Sequence, residues 1–169
     1  IETPGGPGTK SLRVRRQDGK EPDTAVWNFP NGWSGELTAR IQLPAGSQGA
    51  VISLNDRFFD PSNPLGEERA VFRFELKPGE GTSDDWQDLS LRWDLGKGTC
   101  ECRLGDRLVA TLPILTNTLN GISYLRLRSA AATPDPHGLV VRRVAVNLTD
   151  PVAPPVTSEA VRAWQDEYV

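Results

Sequence analysis

This 169-residue chain contains no methionine, a single histidine and only two cysteines. One histidine cannot build a histidine-based metal cluster. His137 sits in Pro136-His137-Gly138, and the chain holds no Gly-x-Ser-x-Gly nucleophile motif, so His137 reads as a loop residue and not as the base of a serine hydrolase. No apolar run is long enough to span a bilayer. Neither charge dominates: 19 basic against 22 acidic residues give a net charge of -3. That balance argues against a general nucleic-acid binder, which needs a basic footprint, while leaving a local basic face open. Cys100 and Cys102 are separated only by Glu101. On a strand both would point to one face, with the backbone between them too extended for a mutual disulfide. A lone Cys-x-Cys also lacks the second half of a zinc site. Buried free thiols are the first expectation, with a vicinal-type disulfide or a metal or redox use as alternatives. The chain opens at Ile1 with no initiator methionine and no signal peptide, and is expected to be a processed product or an excised domain.

What the chain does have is 14 prolines and 16 glycines, which divide it into short alternating runs. Leu12 and Val14 alternate with Arg13 and Arg15. Ala25 to Phe29 can form a short strand that Pro30-Asn31-Gly32 breaks. Leu37, Ala39, Ile41 and Leu43 face one way, and Glu36, Thr38, Arg40 and Gln42 the other. Gly49 to Asn55 is a further strand. Asp56 to Glu68, with Pro61, Pro64 and Gly66, is a long loop of the kind that carries sites. Ala70, Phe72, Phe74 and Leu76 then alternate with Arg69, Val71, Arg73 and Glu75. Asp88 to Asp94, Thr99 to Leu104 and Arg107 to Leu112 read as a meander, and Ile114 to Asn120 as a short strand or an irregular crossing. Gly121 to Leu148 holds two strands that should lie near the middle of a sheet, with the others built around them. The total is about ten strands and no helix before the end, which predicts an all-β fold of two packed antiparallel sheets. The expected organisation is a loose N-terminal segment 1–10, a sandwich domain 11–149, and a Pro-rich linker with a short C-terminal helix at 150–169. In that last segment Ser158 can cap a helix carrying Val161, Trp164 and Tyr168.

Three stretches carry a family resemblance. They are Leu108-Val109-Ala110-Thr111-Leu112-Pro113 after the turn Gly105-Asp106, Gly121-Ile122-Ser123-Tyr124-Leu125-Arg126-Leu127, and Asp135 to Gly138 with its closing Val-rich strand. Over residues 11–149 the chain resembles the concanavalin A-like, or laminin-G-like, jelly-roll sandwich. It is similar to the accessory domains attached to bacterial sialidases and related secreted glycan-degrading enzymes, and Leu54-Asn55-Asp56 is similar to their first exposed loop. The resemblance implies a secreted or extracytoplasmic module, either lectin-like or a structural partner of a propeller. The chain departs from catalytic relatives: it holds neither a Glu-x-Asp-x-Glu strand nor a Ser-x-Asp-x-Gly-x-Thr-Trp box.

A glycosidase needs two carboxylates held across a bond. The neighbours Glu67 and Glu68, Asp84 and Asp85, and the pair Asp88 and Asp94 read as solvated turns instead. Arg13, Arg15, Arg40, Arg73, Arg92, Arg103, Arg126 and Arg128 all fall at outward strand positions. With Tyr124, Arg126 and Arg128 are expected to face an anionic glycan or an acidic partner surface, against the alternative of ordinary cross-strand ion pairing. Trp33, Phe58 and Phe59 would form a sugar platform or docking patch if they converge at one sandwich end. Asn55, Asp56 and Asp60, joined by Asp135 from across the fold, are the candidate ligands of a structural calcium ion. The expected partners are a glycan and another domain or chain of the same protein.

Overall fold

The computed structural model describes residues 10–77, 79, 83–151, 159 and 162. Ten strands form in chain order: β1 Leu12–Arg16, β2 Thr24–Gly32, β3 Ser34–Leu43, β4 Ala50–Asn55, β5 Phe72–Leu76, β6 Ser83–Asp94, β7 Thr99–Leu104, β8 Arg107–Pro113, β9 Ile122–Ser129 and β10 Asp135–Asp150. A single turn of helix, α1, spans Leu65–Glu68. Every strand pairing is antiparallel. One sheet has six strands in the order β1-β10-β3-β6-β7-β8, and the other has four in the order β2-β9-β4-β5. The expected all-β, two-sheet antiparallel sandwich is therefore the fold. The two late strands do sit inside sheets, but in different ones: β10 between β1 and β3, and β9 between β2 and β4.

Alternation drives the layering. Leu37, Ala39, Ile41 and Leu43 of β3 meet Leu89, Leu91 and Trp93 of β6, Ile52 and Leu54 of β4, and Leu125 and Leu127 of β9 in one core. Cys100 and Cys102 are free thiols on the inward face of β7, fully buried. The Cys102 sulfur, and then burial, push the Cys100 thiol up. The neutral thiol is the unreactive form. Because both are fully buried, neither cysteine should react with a thiol reagent while the protein is folded, and both should react in denaturant, as a colorimetric thiol titration would report.

Several features differ from the sequence expectation, each for a local reason. Pro30 does not end β2, because β2 is an edge strand and tolerates a missing N–H; its register to β9 shifts between Asn28 and Gly32. The loop before β10 closes early, since Asp135 already pairs with Arg16. Val71 points into the core, not outward, because its N–H bonds to the Leu54 carbonyl and its own carbonyl accepts from Leu115. The segment 114–120 takes the irregular crossing, one of its two expected forms. The N-terminal segment up to residue 9 and most of the expected C-terminal helix lie outside the described residues. No helix among the described residues is long and apolar enough to cross a membrane.

Candidate functional site

The outer face of the four-stranded sheet is set by strand alternation. Tyr124, Arg126 and Arg128 of β9 point away from the core, beside Asn28, Val26 and Thr24 of β2 and Asn55, Ser53 and Val51 of β4. The long loop after β4 folds back across this face. Its clamp is Arg126, which is only 2% exposed. Arg126 Nη1 donates to the Asp60 carbonyl at 3.1 Å, and Nη2 donates to those of Pro61 and Asn63 at 2.7 and 3.1 Å. Gly66 lies against the guanidinium so closely that a Cβ there would come within 2.8 Å of Nη1. Below, Asn55 Nδ2 donates to the Gly66 carbonyl at 2.8 Å. Burial pushes the Arg126 guanidinium below its usual range, and the charge of Glu67 partly offsets it. Arg126 lines the groove at Arg128, with its Nη nitrogens already committed to loop carbonyls.

Arg128 is the arginine that reaches the surface. Its Nη1 meets both Glu67 oxygens at 3.2 and 3.4 Å, with the Arg128 side chain still 36% exposed. It stands in a groove of about 280 Å³ between Pro22 and Thr24 on one wall and Pro61, Ser62 and Pro64 on the other. Ser62 also fixes the rim, since its N–H and hydroxyl bond to Asp60 Oδ1 at 2.8 and 2.5 Å. Those bonds hold the Asp60 carboxyl below the usual carboxylate range. Beyond the loop, Phe58 is 59% exposed and tilts against Tyr124 with ring centroids 6.2 Å apart. Phe59 is half-buried. Trp33 does not join them in a platform. It lies in the bend between β2 and β3, packs on the core, and bonds through its backbone to Asp150 and Leu95. Glu21, Ser62 and Thr24 complete the groove lining, and Glu67 reaches it through Arg128. The sequence signal for them was slight: a long loop with two prolines, and a glutamate that pairs with an arginine 61 positions later.

The calcium set does not assemble. Asp56 closes on Arg57 through two bonds at 3.0 and 2.9 Å, and Asp60 is taken by Ser62. Asp135 is buried next to the residues that precede β4, whereas Asn55 ends that strand. There Asp135 accepts from the backbone N–H groups of Gln48, His137 and Gly138 at 2.8, 2.9 and 3.0 Å. Its role is to tie the entry of β10 to the β3–β4 turn. Among the described residues no cluster of three or more His, Cys, Asp or Glu side chains could hold a metal ion.

Three of the other arginines follow the ion-pairing alternative. Arg92 pairs with Glu36 at 3.5 Å, Arg103 with Glu101 at 3.8 Å and Arg40 with Asp88 at 3.3 Å, all on the six-stranded face. Three of the carboxylates weighed as glycosidase candidates are similarly engaged: Glu67 by Arg128, Asp88 by Arg40, and Asp94 by Lys97 at 3.0 Å. A second hollow of about 360 Å³ opens at the side of the sandwich, between the edge strands β1 and β2. It is apolar, lined by Leu12, Ala25, Trp27, Leu127, Val141 and Val144, with Trp27 40% exposed.

Two antiparallel sheets of this order, with the meander β6-β7-β8 in one and the crossing strands β9 and β10 inside each, form a concanavalin A-like sandwich of the kind found in lectins. No protein-family model matches the chain, and no curated protein matches its sequence. Solved structures share its fold. A sialidase superposes with a TM-score of 0.60 at 10% identity over 83% of this chain, which spans about 15% of the sialidase's length. CG-16, a homodimeric agglutinin from chicken liver, gives 0.51 at 8% identity over 73% of this chain and 99% of its own. Galectin-Ib of Xenopus laevis gives 0.50 at 14% identity over 73% and 99%. At these identities the likeness is one of fold.

Proposed function

We propose that this chain is a noncatalytic carbohydrate-binding module, accessory to a larger secreted glycan-active protein. The observation that carries the reading is the groove on the outer face of the four-stranded sheet, lined by Arg128, which pairs with Glu67. Arg128 can donate to a sugar hydroxyl or to the carboxylate of an acidic sugar, and Glu67 can accept from a hydroxyl. Phe58 and Tyr124 offer an apolar ring surface on the far side of the loop, about 13 Å along β9 by strand rise. The clamped loop holds both contacts in place before any ligand arrives, which lowers the ordering cost of binding. The likeness to a galectin and an agglutinin supports this use of the fold.

A glycan array of the full chain, run with calcium and again with chelator, tests it. Selective binding is expected, and it should survive the chelator because Asp56 and Asp60 are already taken by Arg57 and Ser62. Arg128→Ala should weaken the selected glycan by about tenfold. A blank array in both conditions would sink the reading. It would favour a structural sandwich that seats another domain of the same polypeptide against the apolar hollow at Trp27 and Leu12.

A further inference from the structure

On the six-stranded face, β10 pairs with β3 so that Arg142 lies directly opposite Arg40. Like charges in that position repel, so a sheet normally places a carboxylate at one of them. Here Trp86 of β6 holds both arginines in place. Its ring lies under the Arg142 guanidinium, with the central carbon 3.8 Å from the ring centroid. Its backbone carbonyl accepts from Arg40 Nη2 at 3.3 Å. Asp88 relieves Arg40 only in part: its Oδ1 lies 3.3 Å from Arg40 Nε, but the N–H is not aligned for a hydrogen bond. Arg142 has no carboxylate partner among the described residues, and its buried Nε finds no acceptor. Burial, and then the charges of Arg143 and Arg40, push the Arg142 guanidinium below its usual range. Two guanidinium groups thus share one partly engaged carboxylate, Asp88, while Arg92 and Arg103 on this face each have their own.

We propose that Arg40 and Arg142, ordered by Trp86, form an oxyanion-binding site on the six-stranded face for a sulfate or carboxylate group, borne by an acidic sugar or free in solution. An oxyanion bridging the two fits the fork geometry of guanidinium donors and removes the cross-strand repulsion. Prior ordering of both side chains means that little rotamer freedom is lost on binding. This site lies on the opposite sheet from the groove at Arg128, and its test is independent of the glycan array.

The experiment is an NMR titration of the full chain with sodium sulfate against sodium chloride at matched ionic strength, following the Trp86 indole and arginine Nε–H signals. Glucose 6-sulfate and glucose serve as further arms. Saturable shifts at Trp86, Arg40 and Arg142 are expected with sulfate and with the sulfated sugar, and none with glucose. Tighter binding of the sulfated sugar would assign the site to a glycan-borne anion, and equal binding to the anion alone; either supports the site. Arg142→Gln should weaken binding by about tenfold, since a charge-assisted contact is lost. Asp88→Asn should tighten it, because a competing carboxylate is removed from Arg40. Arg103→Gln, elsewhere on the same face, should change little. The proposal is overturned if no saturable shift occurs at these residues, or if Arg103→Gln weakens binding as much as Arg142→Gln does.

Discussion

Replacing Arg126 with methionine should cost about 3 to 5 kcal/mol of stability, toward the low end for three hydrogen bonds to a charged donor. Methionine fills much of the same volume, so the loss is not mainly one of packing. It comes from the carbonyls of Asp60, Pro61 and Asn63, which lose their donor together. Without that clamp the loop should lift. Lifting exposes Ser53 and Asn55, both now buried under it. Urea denaturation would measure the loss, and hydrogen exchange over residues 60–66 would show whether it begins in the loop. Unchanged exchange there, with full stability, would mean that Arg126 is not the clamp. Because the same loop forms one wall of the groove at Arg128, the variant should also lose any ligand bound there.

Trp93→Ala should be comparably severe, again about 3 to 5 kcal/mol, as expected for an aromatic side chain removed from a closed core. Trp93 is fully buried, packs against Phe29 with ring centroids 6.1 Å apart, and donates its indole N–H to the Gly32 carbonyl at 3.2 Å. Its ring rests on Gly35, where a Cβ would come within 2.8 Å of a ring carbon. The substitution therefore opens a void and removes the donor from a buried carbonyl. A typical domain is stable by only about 5 to 15 kcal/mol, so a large share of the total is at stake. Thermal and urea unfolding would measure it, and a loss under 1 kcal/mol would mean that the neighbours collapse into the space.

The core was legible in the sequence because period-2 patterning encodes it directly. Leu37 to Leu43 and Leu89 to Trp93 alternate cleanly, and both are buried where alternation places them. Val71 was misplaced because alternation was extended past the true start of β5, where tertiary hydrogen bonds set the orientation. The site was less legible for a related reason. Alternation correctly turns Arg126 away from the core, yet a strand pattern carries no information about a loop that later covers that face. Asp135 looked like a free metal ligand for the same reason: nothing local announces that the N–H groups of Gln48, His137 and Gly138 converge on its carboxylate. The pairing of Arg40 with Arg142 depends on a register between strands about a hundred residues apart, which only the fold supplies.

The placement of β9 and β10 inside the two sheets also governs how the chain can fold. Each is the strand that joins halves otherwise apart, β1 to β3 in one sheet and β2 to β4 in the other. Both lie near the end of the sequence, so neither sheet can close until nearly the whole sandwich has been synthesised. Until then β3 and β4 each expose an unpaired edge next to apolar side chains. Folding is consequently a late, long-range event with a high contact order, slow for a domain of this size, and the unfinished chain is at its most aggregation-prone just before β9 and β10 arrive.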